Sequence, residues 1–378
     1  MEYTSIGESC SVVSGGTPSR SKNEYWENGN IPWIKIGNIK SKYVNEYDEL
    51  ITEQGLNNSS AKLLKKGTIL YTIFATLGEV GILDIEACTN QAIAGINIID
   101  SRITTDYLYY YLKSKKVYVN NIGRGVAQNN INLTTLKNFE IPLIDVDKQS
   151  NIVEILEKVE RMICLKEKEI DDLDLLIKAR FVEMFGDYLK DDRRPLSEVA
   201  IITGGLTKNS NRNTFETKMP YLRVANVFYN RLDLREILKI GVKEEEIEKT
   251  LLQAGDLLFV EGNGSIEQIG RVAIWNGSID PILHQNHLIK ARFNNEIIAP
   301  EYALFYFMLQ DGRQQIISKS VSTSGLNTLS VNKVSSLLLP IPPIALQNQF
   351  ANFVRQVDKS RFDIKKSIIE LEREVVYD

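Results

Sequence analysis

Apolar residues recur at alternating steps of four and three along two long stretches of the chain, and both stretches predict long helices. The first series is Ile152, Leu156, Val159, Ile163, Lys166, Ile170, Leu173 and Ile177, and the second is Phe350, Val354, Val357, Arg361, Ile364, Ile368, Leu371 and Val375. Each series contains one basic residue, Lys166 or Arg361, which we expect at the edge of the apolar stripe. Because the stripes share one heptad phase, we expect an antiparallel coiled coil that relates two units by a pseudo-twofold axis. The alternative for each stripe is an amphipathic helix on the surface of a globular domain.

Outside these helices the pattern changes to short β-rich runs bounded by Gly, Asn and Pro. Such runs lie at 68–74, 93–98, 257–260 and 271–275, and helical stretches intervene at 105–114 and 300–309. Strands mixed irregularly with helices predict an α+β fold class.

The chain contains an internal repeat. Residues 33–39 match 221–227 in the order aromatic, aliphatic, basic, aliphatic, small, Asn, aliphatic, at an offset of 188 (221 − 33). At the same offset 67–71 matches 255–259, and further matches at offsets of 189 and 198 keep the same order, including Gln149 with Gln347. An offset that only drifts upward indicates duplication followed by loop insertions in the second copy. We therefore expect a first globular domain at 1–146, a central helix at 147–187, a second globular domain at 188–344 and a C-terminal helix at 345–378.

Length, charge and cysteine content agree with a reduced, cytoplasmic protein of at least two domains. The chain has 378 residues and a net charge of −4, and its three cysteines, Cys10, Cys88 and Cys164, are far apart and odd in number. Residues 191–340 carry 17 basic and 17 acidic side chains, so a surface that binds nucleic acid must be offset by acidic residues elsewhere. No apolar run is long enough to span a membrane, and the start does not resemble a signal peptide.

The sequence lacks the motifs of several enzyme classes. The Pro342–Pro343 pair is followed by Ile344 rather than by the aromatic residue of an adenine methyltransferase motif. No glycine is followed by lysine, which excludes the usual phosphate-binding loop, and no proline precedes an aspartate, as it does in a common nuclease pattern. His284 and His287 are a weak candidate metal pair because no cysteine lies near them in sequence. We therefore expect a protein without catalytic or metal-binding residues of its own.

The landmarks together resemble the specificity subunit of Type I restriction–modification systems. They are a Gly-Gly turn near the start of each domain and the repeated segment in which a proline and an aromatic residue precede Asn. A further landmark is a proline near the end of each domain that is followed by Gln, and the last is the tail Phe181-Val-Glu-Met-Phe-Gly186 of the first helix. The family commonly has Glu before the exit Gln, where this chain has Lys148 and Leu346.

This resemblance implies two tandem target recognition domains that each bind one half of a split, asymmetric double-stranded DNA site. It also implies helices that space the domains and dock two methyltransferase subunits, with restriction and translocase subunits as further partners. S-adenosylmethionine, Mg²⁺ and ATP are then expected on the partner subunits and not on this chain. Two alternatives remain: a complete DNA methyltransferase, or a coiled-coil scaffold that does not bind DNA.

Candidate DNA-binding residues fall into a shared set and a variable set. Lys35 and Arg223, with Asn38 and Asn226, occur in both copies, and the basic pair is expected to contact phosphate more than bases. The alternative for the two asparagines is that they cap turns. The segments that differ between the copies are expected to select sequence, and their candidates are Thr72, Thr76, Arg124, Gln128, Asn129, Glu261, Asn263, Ser265, Ser322, Thr323 and Ser324. Glu261 could accept from a cytosine amino group and Gln128 could bind adenine, while the alternative for each is a solvated loop residue.

Overall fold

A computed structural model of the chain describes residues 2–123, 130–190, 193–323 and 325–377. The contacts divide the chain into two compact units, one formed by 1–165 with 369–378 and the other by 166–368. We call them unit 1 and unit 2. In the described part of the chain no helix is both long and apolar enough to cross a membrane.

Unit 1 combines mostly antiparallel sheets with short helices, and each of its two larger sheets has one parallel pair. Its strands are β1 (Glu2–Ser5), β2 (Cys10–Ser14), β3 (Ile31–Ile34), β4 (Tyr43–Val44), β5 (Glu49–Ile51), β6 (Ile69–Thr72), β7 (Val80–Leu83), β8 (Cys88–Thr89), β9 (Ile93–Ile98) and β10 (Glu140–Leu143). Its helices are α1 (Ile6–Ser9), α2 (Glu53–Asn57), α3 (Thr105–Ser114), α4 (Lys116–Gly123) and α5 (Leu133–Lys137), followed by the start of the long α6 (Val146–Phe185).

Two sheets form the frame of unit 1. The larger has the order β2–β9–β6–β7–β4 and the smaller the order β5–β3–β8. The larger sheet buries Ile69, Tyr71 and Ile96 against Leu108 and Leu112 of α3. All four residues of β6 are buried, which explains the run of Ile69, Leu70 and Tyr71 in the sequence.

Unit 2 repeats this organisation with additional strands. Its strands are β11 (Arg193–Pro195), β12 (Ala200–Gly204), β13 (Lys218–Leu222), β14 (Val227–Phe228), β15 (Arg231–Leu232), β16 (Leu238–Gly241), β17 (Leu257–Val260), β18 (Gly262–Asn263), β19 (Val272–Ile274), β20 (Leu283–His284), β21 (Leu288–Phe293), β22 (Val321–Thr323), β23 (Leu326–Thr328) and β24 (Leu338–Pro340). Its helices are α7 (Leu196–Val199), α8 (Glu244–Thr250), α9 (Pro300–Met308), α10 (Gln310–Lys319), α11 (Val331–Ser335) and the long α12 (Ile344–Tyr377).

The sheet orders confirm the internal repeat. In unit 2 the order β12–β21–β17–β19 corresponds to β2–β9–β6–β7, and β16–β13–β20 corresponds to β5–β3–β8. The central strand of each small sheet pairs in parallel with a short strand, Trp33 opposite Cys88 in unit 1 and Tyr221 opposite Leu283 in unit 2. The α+β fold class and the tandem arrangement are therefore as the sequence predicts.

Within unit 2 the two long helices run antiparallel. Phe181 of α6 packs against Phe350 of α12, with ring centroids 5.3 Å apart. Earlier in α6, Asp174 pairs with Arg361, which comes later in α12. Residue numbers rise along one helix as they fall along the other, as the matched heptad phase predicts. Arg361 also pairs with Asp358 at 2.7 Å, and its side chain is 13% exposed. Its expected position at the edge of the apolar stripe stays a prediction.

Helix α6 packs on globular cores at both ends. In unit 1, Val153 and Leu156 pack against the core of the larger sheet, whereas Ile152 of the predicted series is 40% exposed. In unit 2, Phe181 and Phe185 are fully buried, and the Phe181 ring stacks on Tyr302 with centroids 5.5 Å apart. The two phenylalanines of the helix tail are thus part of the unit 2 core.

Candidate functional site

The same tight turn follows the central strand of the small sheet in both units. After β3, Lys35 precedes a 3-10 turn at Ile36–Asn38, and after β13, Arg223 precedes a 3-10 turn at Val224–Asn226. The side-chain Oδ1 of Asn38 accepts a hydrogen bond from the Lys35 backbone N at 2.9 Å, and Asn226 accepts from Arg223 at 2.8 Å. One frame therefore presents a basic residue at the same place in each copy.

Asn38 and Asn226 are structural parts of that frame. They are 4% and 3% exposed, and Asn226 also donates to the backbone oxygens of Asp233 and Glu236. The capping alternative accounts for both residues, because the bonding groups of buried amides are used within the protein. Lys35 and Arg223 are the more exposed side chains at this turn, at 34% and 22%.

Both basic residues are held by carboxylates. Lys35 Nζ lies 2.7 Å from Glu49 and 3.4 Å from Asp48, and Arg223 Nη2 lies 2.7 Å from Glu236. The hydrogen bond that Lys35 donates to Glu49 is the main cause that raises the pKa of Lys35 above its ordinary value, so the lysine stays cationic.

Arg20 lies near this turn in unit 1 and is not among the residues predicted from the sequence. The guanidinium carbon of Arg20 lies 3.6 Å from the ring centroid of Trp26 and 5.0 Å from that of Trp33, and its Nη1 is 2.5 Å from Glu49. Basic and aromatic residues interleaved over 20–33 are the signal that could have indicated it. The side chain is 53% exposed and adds a second cation beside Lys35.

The loop between β6 and β7 is the second feature of unit 1. Thr72 is fully buried, and its hydroxyl accepts from Glu79 N at 2.8 Å and donates to Thr76 O at 2.5 Å. Thr72 therefore shapes the loop, while Thr76 is exposed on it beside Phe74 and Ala75. Ala75 has a φ of 62°, a left-handed conformation that a loop of this tightness requires.

Three candidates of unit 1, Arg124, Gln128 and Asn129, lie outside the described residues. Asn130, which follows them, forms a bridge with Phe74 of the β6–β7 loop. Their role in base contact stays a prediction.

In unit 2 the structure brings together two segments that are distant in sequence. Strands β18, β23 and β22 form one small sheet in which Asn263 is opposite Asn327 and Ser322 is opposite Asn327 on the other side. Asn263 accepts a hydrogen bond from Ser265 N at 2.9 Å, and Ser322 is exposed. The side chain of Thr323 and the whole of Ser324 lie outside the described residues. Asn263 and Ser322 therefore lie in the same small sheet.

Glu261 has a partner that sequence reasoning did not assign. Its carboxylate Oε2 lies 2.8 Å from Nδ1 of His287, and the backbone N of Glu261 donates to His287 O at 2.9 Å. Glu261 and His287 are 28% and 54% exposed, so both can meet a ligand. Their pairing depends on the neighbouring ends of β17 and β21, which the linear sequence does not reveal.

The two histidines do not form a metal pair. His284 is buried and its Nδ1 bonds to Thr250 O at 2.8 Å, whereas His287 bonds to Glu261. Burial is the main cause that lowers the pKa of His284 to about 4, so it is neutral at pH 7. Among the residues that the structure describes, no group of three or more His, Cys, Asp or Glu side chains could hold a metal ion.

Comparison with known proteins gives matches along nearly the whole chain. The family described as Type I restriction modification DNA specificity domain matches residues 1–175 and again 192–373. Among curated proteins, the chain is 26% identical to the Type I restriction enzyme MjaIX specificity subunit of Methanocaldococcus jannaschii, over 97% of this chain and 88% of the relative. It is 22% identical to the Type I restriction enzyme EcoKI specificity subunit of Escherichia coli K12, over 91% and 79% of the two chains.

Solved structures share the fold. A chain from a study of complex assembly and conformational transition of the type I R-M system superposes with a TM-score of 0.64 at 16% identity, covering 99% of this chain and 95% of that one. The Type I restriction–modification S subunit from M. genitalium gives a TM-score of 0.50, also at 16% identity, covering 99% and 93%.

Proposed function

The chain belongs to the Type I restriction modification DNA specificity family and is a non-catalytic specificity subunit, and from this premise we propose that each unit binds one half of a split, asymmetric duplex site. We assign DNA recognition to the domains at 1–146 and 188–344. The helices at 147–187 and 345–378 act as spacers between them.

The duplicated frame with different loops carries this proposal. Lys35 and Arg223 occupy the same position in the two copies, as expected for contacts with phosphate, which is the same at every base pair. Other polar surfaces differ between the copies: unit 1 has the β6–β7 loop with Thr76, and unit 2 has Glu261 and the small sheet with Asn263 and Ser322. A shared frame with unlike reading surfaces suits two half-sites of unlike sequence.

Methyltransferase subunits are the proposed protein partners, and the long helices are their proposed docking surface. In unit 1, Ile155 and Leu165 of α6 are 60% and 66% exposed. In unit 2, Leu175 of α6 and Phe362 of α12 are 61% and 68% exposed. Large apolar side chains in contact with water along a helix favour burial by a partner. S-adenosylmethionine, Mg²⁺ and ATP belong to the partner subunits, including restriction and translocase subunits where these are present.

Reconstitution tests the proposal. The purified chain, incubated with duplex DNA and a labelled methyl donor, should transfer no methyl group. Addition of a cognate methyltransferase subunit should produce methylated adenines in one split motif, which sequencing of modified bases would identify. Methyl transfer by the chain alone, or methylation whose motif does not depend on this chain, would contradict it.

A further inference from the structure

We infer that Asp48 and Glu49 in unit 1 and Glu236 in unit 2 compete with DNA phosphate for Lys35 and Arg223, and so lower the affinity of the protein for any duplex. We call these three residues the competing carboxylates. The inference rests on the proposed function, and it concerns the strength of DNA binding rather than its existence.

The pairing is repeated at equivalent positions. Arg223 follows Lys35 by 188 residues (223 − 35), and Glu236 follows Asp48 by the same 188 (236 − 48). In each copy the carboxylate lies within ion-pair distance of the basic side chain, 3.4 Å for Lys35–Asp48 and 2.7 Å for Arg223–Glu236. The basic residue changes from Lys to Arg and the acidic one from Asp to Glu, yet the charge pair persists in both units.

Stability accounts for these pairs only in part: Asp48 also accepts a hydrogen bond from Nδ2 of the buried Asn38 at 3.2 Å, but the ion pairs themselves are exposed. The side chains of Asp48 and Glu236 are 67% and 73% exposed, and ion pairs that exposed add little to the free energy of unfolding. The Arg223–Glu236 pair uses Nη2, while Nε of the same guanidinium has no hydrogen-bond partner. The Arg223–Glu236 pair is therefore not the stronger bidentate form, and another anion can replace the Glu236 carboxylate.

The competing carboxylates place negative charge directly beside the proposed phosphate contacts. In the free protein the charge of each basic residue at the shared turn is already compensated. When a phosphate replaces the carboxylate, the carboxylate regains cations from solution, which offsets part of the counterion release that drives DNA binding. Removal of the carboxylate should therefore strengthen binding to all sequences and make it more dependent on salt.

The test uses the full chain assembled with its methyltransferase subunit and two duplexes, one with the recognised motif and one without it. Glu236→Gln should tighten binding to both duplexes about two- to fivefold at low salt, the range expected from loss of one exposed ion pair. The slope of log affinity against log salt should become steeper by up to about 0.9, the value for one phosphate. Both duplexes should respond alike, because phosphate contacts carry no sequence information.

Two controls separate the competing carboxylate from a general change in charge. Glu245→Gln makes the same change in net charge in unit 2, where Glu245 pairs with Lys243 at 3.7 Å, and should have a smaller effect. In an Arg223→Ala background, Glu236→Gln should no longer tighten binding, since the cation it competes for is absent. In unit 1, Asp48→Asn is tested with Glu46→Gln as its control, because Glu46 pairs with the exposed Lys40. Its effect should be smaller than that of Glu236→Gln, because Glu49 still pairs with Lys35 at 2.7 Å.

The outcomes distinguish this inference from the proposed function. Unchanged or weaker binding by both Glu236→Gln and Asp48→Asn, with the unmodified complex still selecting its motif, overturns the competing carboxylates and leaves the proposed function intact. Equal tightening by Glu236→Gln and Glu245→Gln overturns the inference too. Failure of the unmodified complex to bind a split motif removes both.

Discussion

Gln149 and Gln347 make the same three hydrogen bonds at the start of the two long helices. In each unit the side-chain oxygen accepts from a backbone N, and the side-chain nitrogen donates to two backbone oxygens. The partners are Thr104 N (2.9 Å), Arg102 O (2.6 Å) and Ile144 O (2.9 Å) for Gln149, and Ala299 N (2.9 Å), Ile297 O (3.0 Å) and Pro342 O (2.8 Å) for Gln347. Both residues are fully buried, so one amide fixes where each helix leaves its domain.

Substitution of Gln347 by Leu should lower the free energy of unfolding by about 1–3 kcal/mol, because it leaves buried backbone groups without partners. Urea denaturation of the full chain measures this. Gln356→Leu on the same helix is the matched control, since Gln356 is exposed and its loss should change stability by less than about 0.5 kcal/mol. Equal effects of the two substitutions would show that the buried amide has no special role.

His284 should make stability depend on pH below neutrality. Its folded pKa of about 4 lies below the ordinary value of 6.5, so between these values the unfolded chain binds more protons. Stability is therefore full above pH 6.5 and falls as the pH drops toward 4, by about 3 kcal/mol at most. His284→Gln should flatten this part of the pH profile of the unfolding free energy. Urea denaturation of the unmodified chain and of this variant at a series of pH values measures the difference.

Glu261 and His287 should read one base position together. Because Oε2 of Glu261 holds Nδ1 of His287, a change of either residue disturbs the same recognition group. Glu261→Gln and His287→Gln should each relax the same position in one half of the methylated motif, at about 1–3 kcal/mol of discrimination. Methylation of a randomised duplex library, followed by sequencing, reports the motif. Relaxation at two different positions, or a uniform loss over all sequences, would argue against this pair as a base reader.

The two units should read DNA independently. Replacement of residues 191–340 by the corresponding domain of another family member should change one half of the methylated motif and preserve the other. The physical reason is that the variable surfaces of unit 2, including β18, β22 and β23, lie wholly within the exchanged part. The donor must have an aromatic residue where Tyr302 contacts Phe181 and Phe185, so that the core of unit 2 stays packed. The measurement is the modified-base motif of cells that carry each variant. Simultaneous change of both halves would contradict independent reading.

Sequence patterns predicted the features that depend on local or repeated order. The repeat was visible because its landmarks keep their order, and the antiparallel helices of unit 2 follow from one heptad phase. The pattern did not reveal what covers each apolar stripe. Ile152 belongs to the predicted series but is 40% exposed, because the first turns of α6 use Val153 and Leu156 against a globular core.

The partners of the candidate residues could not be predicted, because they come from strand pairing. The β3–β5 register places Glu49 opposite Trp33 and thus near Lys35, and the ends of β17 and β21 bring Glu261 to His287. Thr72 belongs to a segment that differs between the copies, yet it lies at the end of a buried strand and its hydroxyl bonds to the loop backbone. Long-range register, which the sequence does not encode in any local motif, decides which polar side chains meet the solvent.

Helix α6 is divided between the units, with residues up to Leu165 in unit 1 and those from Lys166 in unit 2. Phe181 and Phe185 surround Tyr302 in the unit 2 core, while the stretch at 166–172 is largely exposed. A lineage that acquires a new second half by genetic recombination would keep both cores intact if the crossover fell within the codons for that exposed stretch. A crossover after Gly186 would instead make Phe181 and Phe185 pack against the core of a domain from an unrelated chain. Selection should therefore preserve the middle of this helix as the place where DNA preferences are shuffled between strains.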